Sequence, residues 1–236
     1  MRILAFDSTA RAASVAVLED DRLLGQYNID NGFTHSELLL PMAENLLKSL
    51  GLDISEIGLF AAAVGPGSFT GVRIGAALVK GLAFGRDIPC VEVSSVEALA
   101  ENLSGLDGYI VPCIDARRGQ VYTAIFKSDG KSATRITKDD AISISALAEM
   151  LKEYEGEDIY LVGDGYEVAS RGLRAAGIDL KETPPLLINE NAYSIAQVAL
   201  EKYKSGEFVK DTEIAPIYLR MPQAERERLE RLGETK

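Results

Sequence analysis

Residues 59–93, LFAAAVGPGSFTGVRIGAALVKGLAFGRDIPCVEV, are the stretch that decides the fold of this chain. Residues 59–64 form an uninterrupted apolar run, which predicts a strand buried on both faces. Residues 65–68 read Gly-Pro-Gly-Ser and predict a sharp turn, because glycine allows positive φ and proline fixes its own φ. Thr70 fits an N-cap, so we expect a helix over residues 71–85. A returning strand, parallel to the first, completes the stretch.

The predicted helix carries few charges. Arg73 and Lys80 are its only charged residues, and a spacing of seven places them on one stripe. A helix that is apolar on nearly every side is buried on nearly every side. Its glycines each cost roughly 1 kcal/mol relative to alanine, and they suit the close approach of another backbone. The helix is therefore either internal, between layers of one domain, or buried on its outer side by a partner chain.

Composition indicates a globular protein from a reducing compartment. The 236 residues are 47% hydrophobic and 26% charged, enough for one large domain or two small ones. Cys90 and Cys113 fall in predicted buried strands, which favours structural thiols over a disulfide. The sequence has no signal-peptide pattern and no apolar run of membrane-spanning length, so we expect a cytoplasmic protein without a membrane partner. Its net charge of −11 argues against direct binding of nucleic acid.

The pattern predicts two halves, residues 1–105 and 106–236, joined by a small, polar, glycine-rich segment. In the first half, strands over residues 2–7, 13–18 and 22–29 are expected to form an antiparallel meander. The second half repeats the same pattern more weakly. Its expected elements are strands over 109–114, 120–126 and 159–162, a surface turn over 127–131, helices over 145–154, up to 176 and over 192–204, an extended segment over 213–220 and a charged helical tail over 224–236.

An amphipathic helix is expected over residues 34–50. Thr34 and Glu37 match a capping box, and Gly51 fits the C-cap. His35 is the only histidine of the chain, and its place in the first turn suits capping or packing better than metal binding. The apolar stripe of this helix consists of Leu39, Met42, Ala43, Leu46, Leu47 and Leu50.

Two short loops contain residues that could bind a nucleotide. Asp7, Ser8 and Thr9 follow the first strand, and such a loop can face phosphate oxygens while the carboxylate holds hydrated Mg²⁺. A hairpin loop in which the aspartate caps its own backbone is an equal alternative. Gly163 and Asp164 precede a helix and could meet a phosphate there, although a plain turn capped by Asp164 is the preferred interpretation. The sequence presents no catalytic triad, Walker A lysine or metal-spaced cysteine pair, so we assign no catalytic residue and no metal site.

Several motifs resemble one bacterial family, TsaB (also called YeaZ), almost from end to end. The matching segments are FDSTARAASVAV at 6–17, THSELLLPMAENLL at 34–47, AVGPGSFTGVRIGAALVKGLAF at 63–84, PCIDARRGQVY at 112–122 and PIYLR at 216–220. The resemblance implies an α/β fold of the actin/hexokinase/Hsp70-like (ASKHA) class. Each of its two related halves has a mixed sheet flanked by helices.

The resemblance also implies a role as a non-catalytic scaffold and activator. The family's partners are the paralogue TsaD and the ATPase TsaE, in a complex that forms N6-threonylcarbamoyladenosine at position 37 of ANN-decoding tRNAs. The tRNA is then reached only through the complex. ATP, ADP and metal belong to TsaD and TsaE, so this chain needs no cofactor. TsaD holds its metal through two histidines, whose positions here correspond to Ser95 and Leu99, and leucine cannot bind a metal.

In the family, the helices matching residues 34–50 and 70–85 pack against the same helices of TsaD, or of a second copy when TsaD is absent. The implied interface residues are His35, Leu38, Leu39, Met42, Asn45, Leu46, Gly71, Val72, Gly75, Leu78, Val79 and Leu82. Glutamate at Val79 or Leu82 is expected to break the complex and leave the fold intact. The alternatives are an ATP- or metal-dependent enzyme of glycoprotease or phosphotransferase type, and an unrelated homodimeric adaptor.

Overall fold

The computed structural model describes residues 1–220, and the first part of this chain forms a five-stranded sheet. Its strands are β1 Arg2–Asp7, β2 Ala13–Glu19, β3 Arg22–Ile29, β4 Leu59–Gly65 and β5 Cys90–Ser94. The spatial order is β3-β2-β1-β4-β5. β1 to β3 pair antiparallel, whereas β4 and β5 extend the sheet in parallel. The predicted meander and the predicted parallel unit of residues 59–93 are both confirmed.

Helices cover both faces of this first sheet. The α-helices within residues 1–220 are α1 His35–Leu50, α2 Phe69–Ala83, α3 Ser95–Glu101, α4 Ile144–Leu151, α5 Tyr166–Ala175 and α6 Ala192–Lys204. α1 and α2 share one core with Phe6 and Phe60, and α6 shares another with Ala5 and Ala61. Successive residues of β1 and of β4 enter the two cores alternately. Both faces of β4 are therefore buried, which explains why residues 59–64 include no polar residue.

The second part of the chain forms a second mixed sheet. Its strands are β6 Asp107–Asp115, β7 Gln120–Thr123, β8 Phe126–Asp129, β9 Ala133–Arg135, β10 Asp140–Ser143 and β11 Ile159–Val162. The order is β10-β7-β6-β8-β9, and β11 pairs with β6 in parallel. α4 and α5 contribute Leu147 and Leu173 to the core on this sheet. α3 packs against both β6 and α6 and so connects the two parts.

Residues 120–131 differ from the predicted single strand and surface turn. β7 ends at Thr123, and the chain then pairs as β8 with the opposite end of β6. Ala124 and Ile125 are buried at the crossing, where the Ile125 N–H donates to Thr137 Oγ1 at 2.8 Å. Apolar residues continue through this crossing, so the sequence pattern gives no sign of it.

Helix α1 keeps its predicted caps, whereas α2 begins earlier than predicted. The Thr34 hydroxyl donates to the Glu37 carboxylate at 2.7 Å, and Gly51 adopts φ 68° at the C-cap. In α2 the N-cap is Ser68, not Thr70, because Ser68 Oγ accepts the N–H of the residue three positions later at 3.2 Å. The extended segment predicted over 213–220 forms no strand, and the predicted tail over 224–236 lies outside the described residues.

The end of the described chain returns to the first sheet. Besides α6, Val209 pairs with Cys90, and the Ile217 N–H donates to Val64 O at 2.8 Å. This first layer is therefore built from residues distant in sequence. In the part of the chain described here, no helix has the length and hydropathy needed to cross a membrane.

Candidate functional site

The loop after β1 is closed by the start of α2. Ser8 Oγ donates to Gly71 O at 2.9 Å, and the Ser68 N–H donates to Thr9 O at 2.7 Å. A Cβ on Gly71 would lie 1.8 Å from Ser8 O, and a Cβ on Gly67 would lie 2.5 Å from Thr9 O. A side chain fits at neither contact. At the N-terminus of α2, the close backbone approach that its glycines predict is therefore made within the chain itself.

Asp7, Ser8 and Thr9 use their polar groups internally. All three are buried, and Asp7 Oδ1 accepts both the N–H and the hydroxyl of Thr9, at 2.8 and 2.7 Å. This is the geometry of the self-capping loop. His35 Nε2 lies 2.9 Å from Ala10 O, so the histidine packs on the same loop. The groups that would face a phosphate at this loop are thus engaged within the chain.

Asp7 belongs to a cluster of three buried or half-buried carboxyl groups. Asp164, after β11, accepts the Asp115 N–H at 2.9 Å, and Glu190, before α6, accepts the Asp164 N–H at 3.3 Å. Burial raises the pKa of Asp7 and of Asp164. Burial, followed by repulsion from Asp164 and Asp7, raises the pKa of Glu190 to about 8. The cluster therefore joins the end of β1, the turn after β11 and the residue pair before α6, and Glu190 has no sequence motif that could have identified it.

The turn that contains Gly163 and Asp164 ties β11 to β6. Gly163 adopts φ +110°, and a Cβ there would lie 2.5 Å from Cys113 O. Asp164 does not cap α5 as predicted, since Gly165 is the N-cap and the Asp164 carboxylate binds the Asp115 N–H instead. Over residues 1–220, no three His, Cys, Asp or Glu side chains have the arrangement of a metal site.

Many residues predicted at a partner interface lie in the interior of this chain. They occupy the inner sides of α1 and α2, toward the first sheet. An apolar stripe marks the side of a helix that faces its own core, and these positions lie on that stripe. Because they are buried in this chain they offer little surface to a partner, and their place in an interface remains a prediction. They are Leu39, Met42, Leu46, Gly71, Val72, Gly75 and Val79.

The outer sides of α1 and α2 form a different, partly apolar surface. Of the predicted residues, His35, Leu38, Leu78 and Leu82 are half-buried and Asn45 is exposed. Further exposed positions on these helices were not among the predicted residues. A Cβ at one of them, Gly81, would meet open space. We call this surface the α1–α2 face; it comprises Leu38, Pro41 and Asn45 on α1 and Ile74, Ala77, Leu78, Gly81, Leu82 and Phe84 on and after α2.

A cleft of about 530 Å³ opens between loops of the first sheet and turns of the second. Its walls are the β1–β2 loop, the start of α2, the turn after β6 and residues 217–220. Thr9 and Asp164 line it, whereas Asp7, Ser8 and Gly163 do not. The candidate surfaces of this chain are thus the α1–α2 face and this cleft.

The chain is similar to proteins named for tRNA modification. Residues 32–228 match the family model described as TsaD: tRNA N6-adenosine threonylcarbamoyltransferase. The tRNA threonylcarbamoyladenosine biosynthesis protein TsaB of Bacillus subtilis (strain 168) is 37% identical over 164 residues, which cover 70% of this chain and 72% of that protein. TsaB of Escherichia coli (strain K12) is 30% identical over 223 residues, which cover 93% of this chain and 95% of that protein.

A solved structure has the same fold. YeaZ from Pseudomonas aeruginosa superimposes with a TM-score of 0.74 at 25% identity, covering 92% of this chain and 99% of that one. This likeness, together with the two mixed sheets flanked by helices, confirms the expected α/β fold.

Proposed function

The chain belongs to the TsaB family and so has a role in tRNA threonylcarbamoyladenosine biosynthesis, within which we propose that it is a non-catalytic subunit that binds and activates TsaD. TsaE joins this heterodimer, and the tRNA is reached only through the complex. The net charge of −11 supports indirect contact with tRNA, because a partner must then supply the cations.

The α1–α2 face carries this proposal. Phe84 is 78% exposed, and Ala77 and Gly81 lie exposed one helical turn apart on the same stripe. An exposed large apolar side chain beside small exposed residues favours an interaction site, and Lys80 borders this group on the same helix. Because a Cβ at Gly81 would meet open space, a partner helix can approach the α2 backbone closely there.

The partner that fits this face is a paralogous helix pair. α1 and α2 lie side by side on one sheet face, so a second chain with the same layer can pack against them by a pseudo-twofold, nearly isologous contact. TsaD supplies that layer in the heterodimer. A second copy of this chain supplies it when TsaD is absent.

The positions that resemblance aligns with the metal-binding histidines of TsaD support a non-catalytic role. Ser95 and Leu99 are each 1% exposed on α3, and Leu99 packs with Ile110 in an apolar core. In this proposal, TsaD carries out the reaction and holds the metal, and this chain contributes a binding surface.

A reconstituted modification assay tests the proposal. Threonylcarbamoylation of tRNA is measured with TsaD, TsaE and the threonylcarbamoyl adenylate, with this chain added or omitted. We expect modification to depend on this chain, and this chain alone to modify nothing. Equal modification in its absence would contradict the proposed role.

Ala77→Glu tests the surface within the same assay. Ala77 is exposed, so glutamate there costs the fold little, and it places a bulky, charged side chain in the proposed interface. Ala146→Glu, at an exposed position of α4, is the matched control. We expect Ala77→Glu to weaken TsaD binding at least tenfold and the control to bind normally. Equal affinities would place the interface elsewhere.

Glutamate at Val79 is not a suitable test, contrary to the expectation from sequence. Val79 is 0% exposed in the core beneath α2, so a charge there destabilises the chain itself.

A further inference from the structure

One dipeptide in the loop before α1 has the composition that favours spontaneous loss of a side-chain amide. Asn31 is followed by Gly32, and the chain contains no other asparagine that precedes a glycine. Asparagine is thermolabile because the backbone nitrogen of the following residue can attack its side-chain amide carbon. A glycine at that position has no side chain to obstruct the attack. The sequence thus distinguishes Asn31 from the other asparagines of the chain.

The loop exposes both reacting residues and lies outside regular structure. β3 ends at Ile29 and α1 begins at His35, and both Asn31 and Gly32 are exposed. Gly32 adopts φ 79°, and a Cβ built there would have nothing within 4 Å. A ring that forms at this position therefore displaces no packed neighbour and breaks no helix or strand.

The Asn31 side chain is already folded over the backbone with which it would react. Its Oδ1 accepts the Phe33 N–H at 3.1 Å, which is the local turn that asparagine commonly makes. This bond holds the side-chain amide beside the backbone of Gly32, whose nitrogen is the attacking group. Within residues 1–220 it is the one hydrogen bond of this side chain, so the amide nitrogen is free to leave.

The other asparagines are held more firmly or precede larger residues. Asn28 lies in β3 and Asn45 in α1, where regular backbone geometry opposes ring closure. Asn102 and Asn191 bond to each other, with Asn191 Nδ2 2.9 Å from Asn102 Oδ1. Asn189 is exposed and outside regular structure, but a buried glutamate follows it. Asn189 is therefore the natural internal comparison.

We propose that Asn31 is a site of spontaneous deamidation through a cyclic imide. The Gly32 nitrogen forms a bond to the Asn31 side-chain carbon, and the side-chain amide group leaves with the Gly32 proton as ammonia. Water then opens the five-membered ring at either carbonyl, which gives aspartate or isoaspartate. The net reaction consumes one water and releases one ammonia.

The products change the segment that leads into α1. Asp30 already carries a carboxylate, 3.5 Å from the Arg11 guanidinium, so deamidation places a second negative charge beside it. The isoaspartate form also adds one carbon to the main chain three residues before Thr34, which begins the capping box of α1. α1 contributes Leu38 and Pro41 to the α1–α2 face, so deamidation is expected to weaken TsaD binding. This last step rests on the proposed function.

Peptide mass spectrometry of the full chain, sampled during warm incubation at mildly alkaline pH, tests the chemistry. We expect the peptide that contains Asn31 to convert from amide to acid at least tenfold faster than the peptide that contains Asn189. Gly32→Ala places a methyl group beside the attacking nitrogen without meeting a neighbour, and it should slow the conversion at least tenfold. Asn189→Gln is the matched control and should leave the rate at Asn31 unchanged. A protein-isoaspartate methyltransferase should methylate the aged wild-type chain and not the fresh one.

Equal rates at Asn31 and Asn189, or a rate at Asn31 that Gly32→Ala leaves unchanged, would overturn the proposed site. The effect on binding is measured by ageing the wild-type and Asn31→Gln chains together and titrating each with TsaD. We expect the aged wild type to bind at least threefold more weakly, and equal affinities would overturn the effect on α1. If even the fresh chain does not bind TsaD, the proposed function fails and the effect on binding fails with it. Mass spectrometry still decides the site itself in that case.

Discussion

The wild-type chain is expected to become less stable as pH rises, and Glu190→Gln is expected to remove this loss of stability. The Glu190 carboxyl is 3% exposed, and burial with Asp164 and Asp7 nearby raises its pKa from 4.5 to about 8. Between these two values the folded chain holds a proton that the unfolded chain has released. The free energy of unfolding therefore falls as pH rises through this window, and the fall is complete above about pH 8.

The magnitude follows from the width of the window. The slope is about 1.4 kcal/mol per pH unit and becomes smaller near the folded pKa, so the loss from pH 6 to pH 8 is about 2 kcal/mol. Glutamine keeps the oxygen that accepts the Asp164 N–H and cannot ionise. The variant should therefore gain about 2 kcal/mol on the wild type over this range.

Urea unfolding followed by circular dichroism at pH 6 and pH 8 measures the effect. Glu182→Gln, at an exposed position of the preceding loop, is the control and should follow the wild type at both pH values. If the difference between Glu190→Gln and wild type is the same at pH 6 and pH 8, Glu190 is already ionised in the folded chain. That result would refute the buried, protonated carboxyl group inferred from the structure.

Three further substitutions test packing and hydrogen bonding, each by urea unfolding. Gly71→Ala should cost at least about 3 kcal/mol, because its Cβ would lie 1.8 Å from Ser8 O; a loss under about 1 kcal/mol would contradict that contact. Gly81→Ala, in the same helix but facing open space, should instead stabilise the chain by about 0.5–1 kcal/mol, and destabilisation would count against an open outer side. Asn102→Ala should cost about 2–4 kcal/mol, because the amide donates to Leu187 O and Asn189 O at 3.0 and 2.9 Å; an unchanged midpoint would show these bonds to be unimportant.

The sequence was most informative where local signals agree. Residues 59–93 combine an apolar run, glycine and proline at a turn and a helical period, and the strand, helix and parallel strand all form, with the helix beginning two residues earlier than predicted. At residues 120–131 the pairing partner changes while the apolar pattern does not, so the break between β7 and β8 had no local sign. Local pattern thus predicts elements better than it predicts which strand each one joins.

The candidate site was harder to predict because it depends on contacts between distant residues. The helical period separates two sides of α2, with Val79 on one and Gly81 on the other. Only the position of the sheet shows that Val79 is buried and that Gly81 faces open space. Glu190 and Asp7 belong to one carboxyl cluster although they are more than 180 positions apart in the sequence. The residues that flank each of them in sequence give no sign of the other. Arg117 and Arg220 line the same cavity because the chain returns to this region after α6.

That return of the chain has a consequence for biosynthesis. α6 packs against one face of the first sheet, so core residues of that face, among them Ile3 and Ala61, stay incompletely covered until residue 204 has left the ribosome. The earliest strands to be translated must therefore wait for one of the last helices, with their apolar side exposed in the meantime. A nascent chain stalled near residue 105 should be a client for chaperones that bind exposed apolar segments, whereas one released after residue 204 should not.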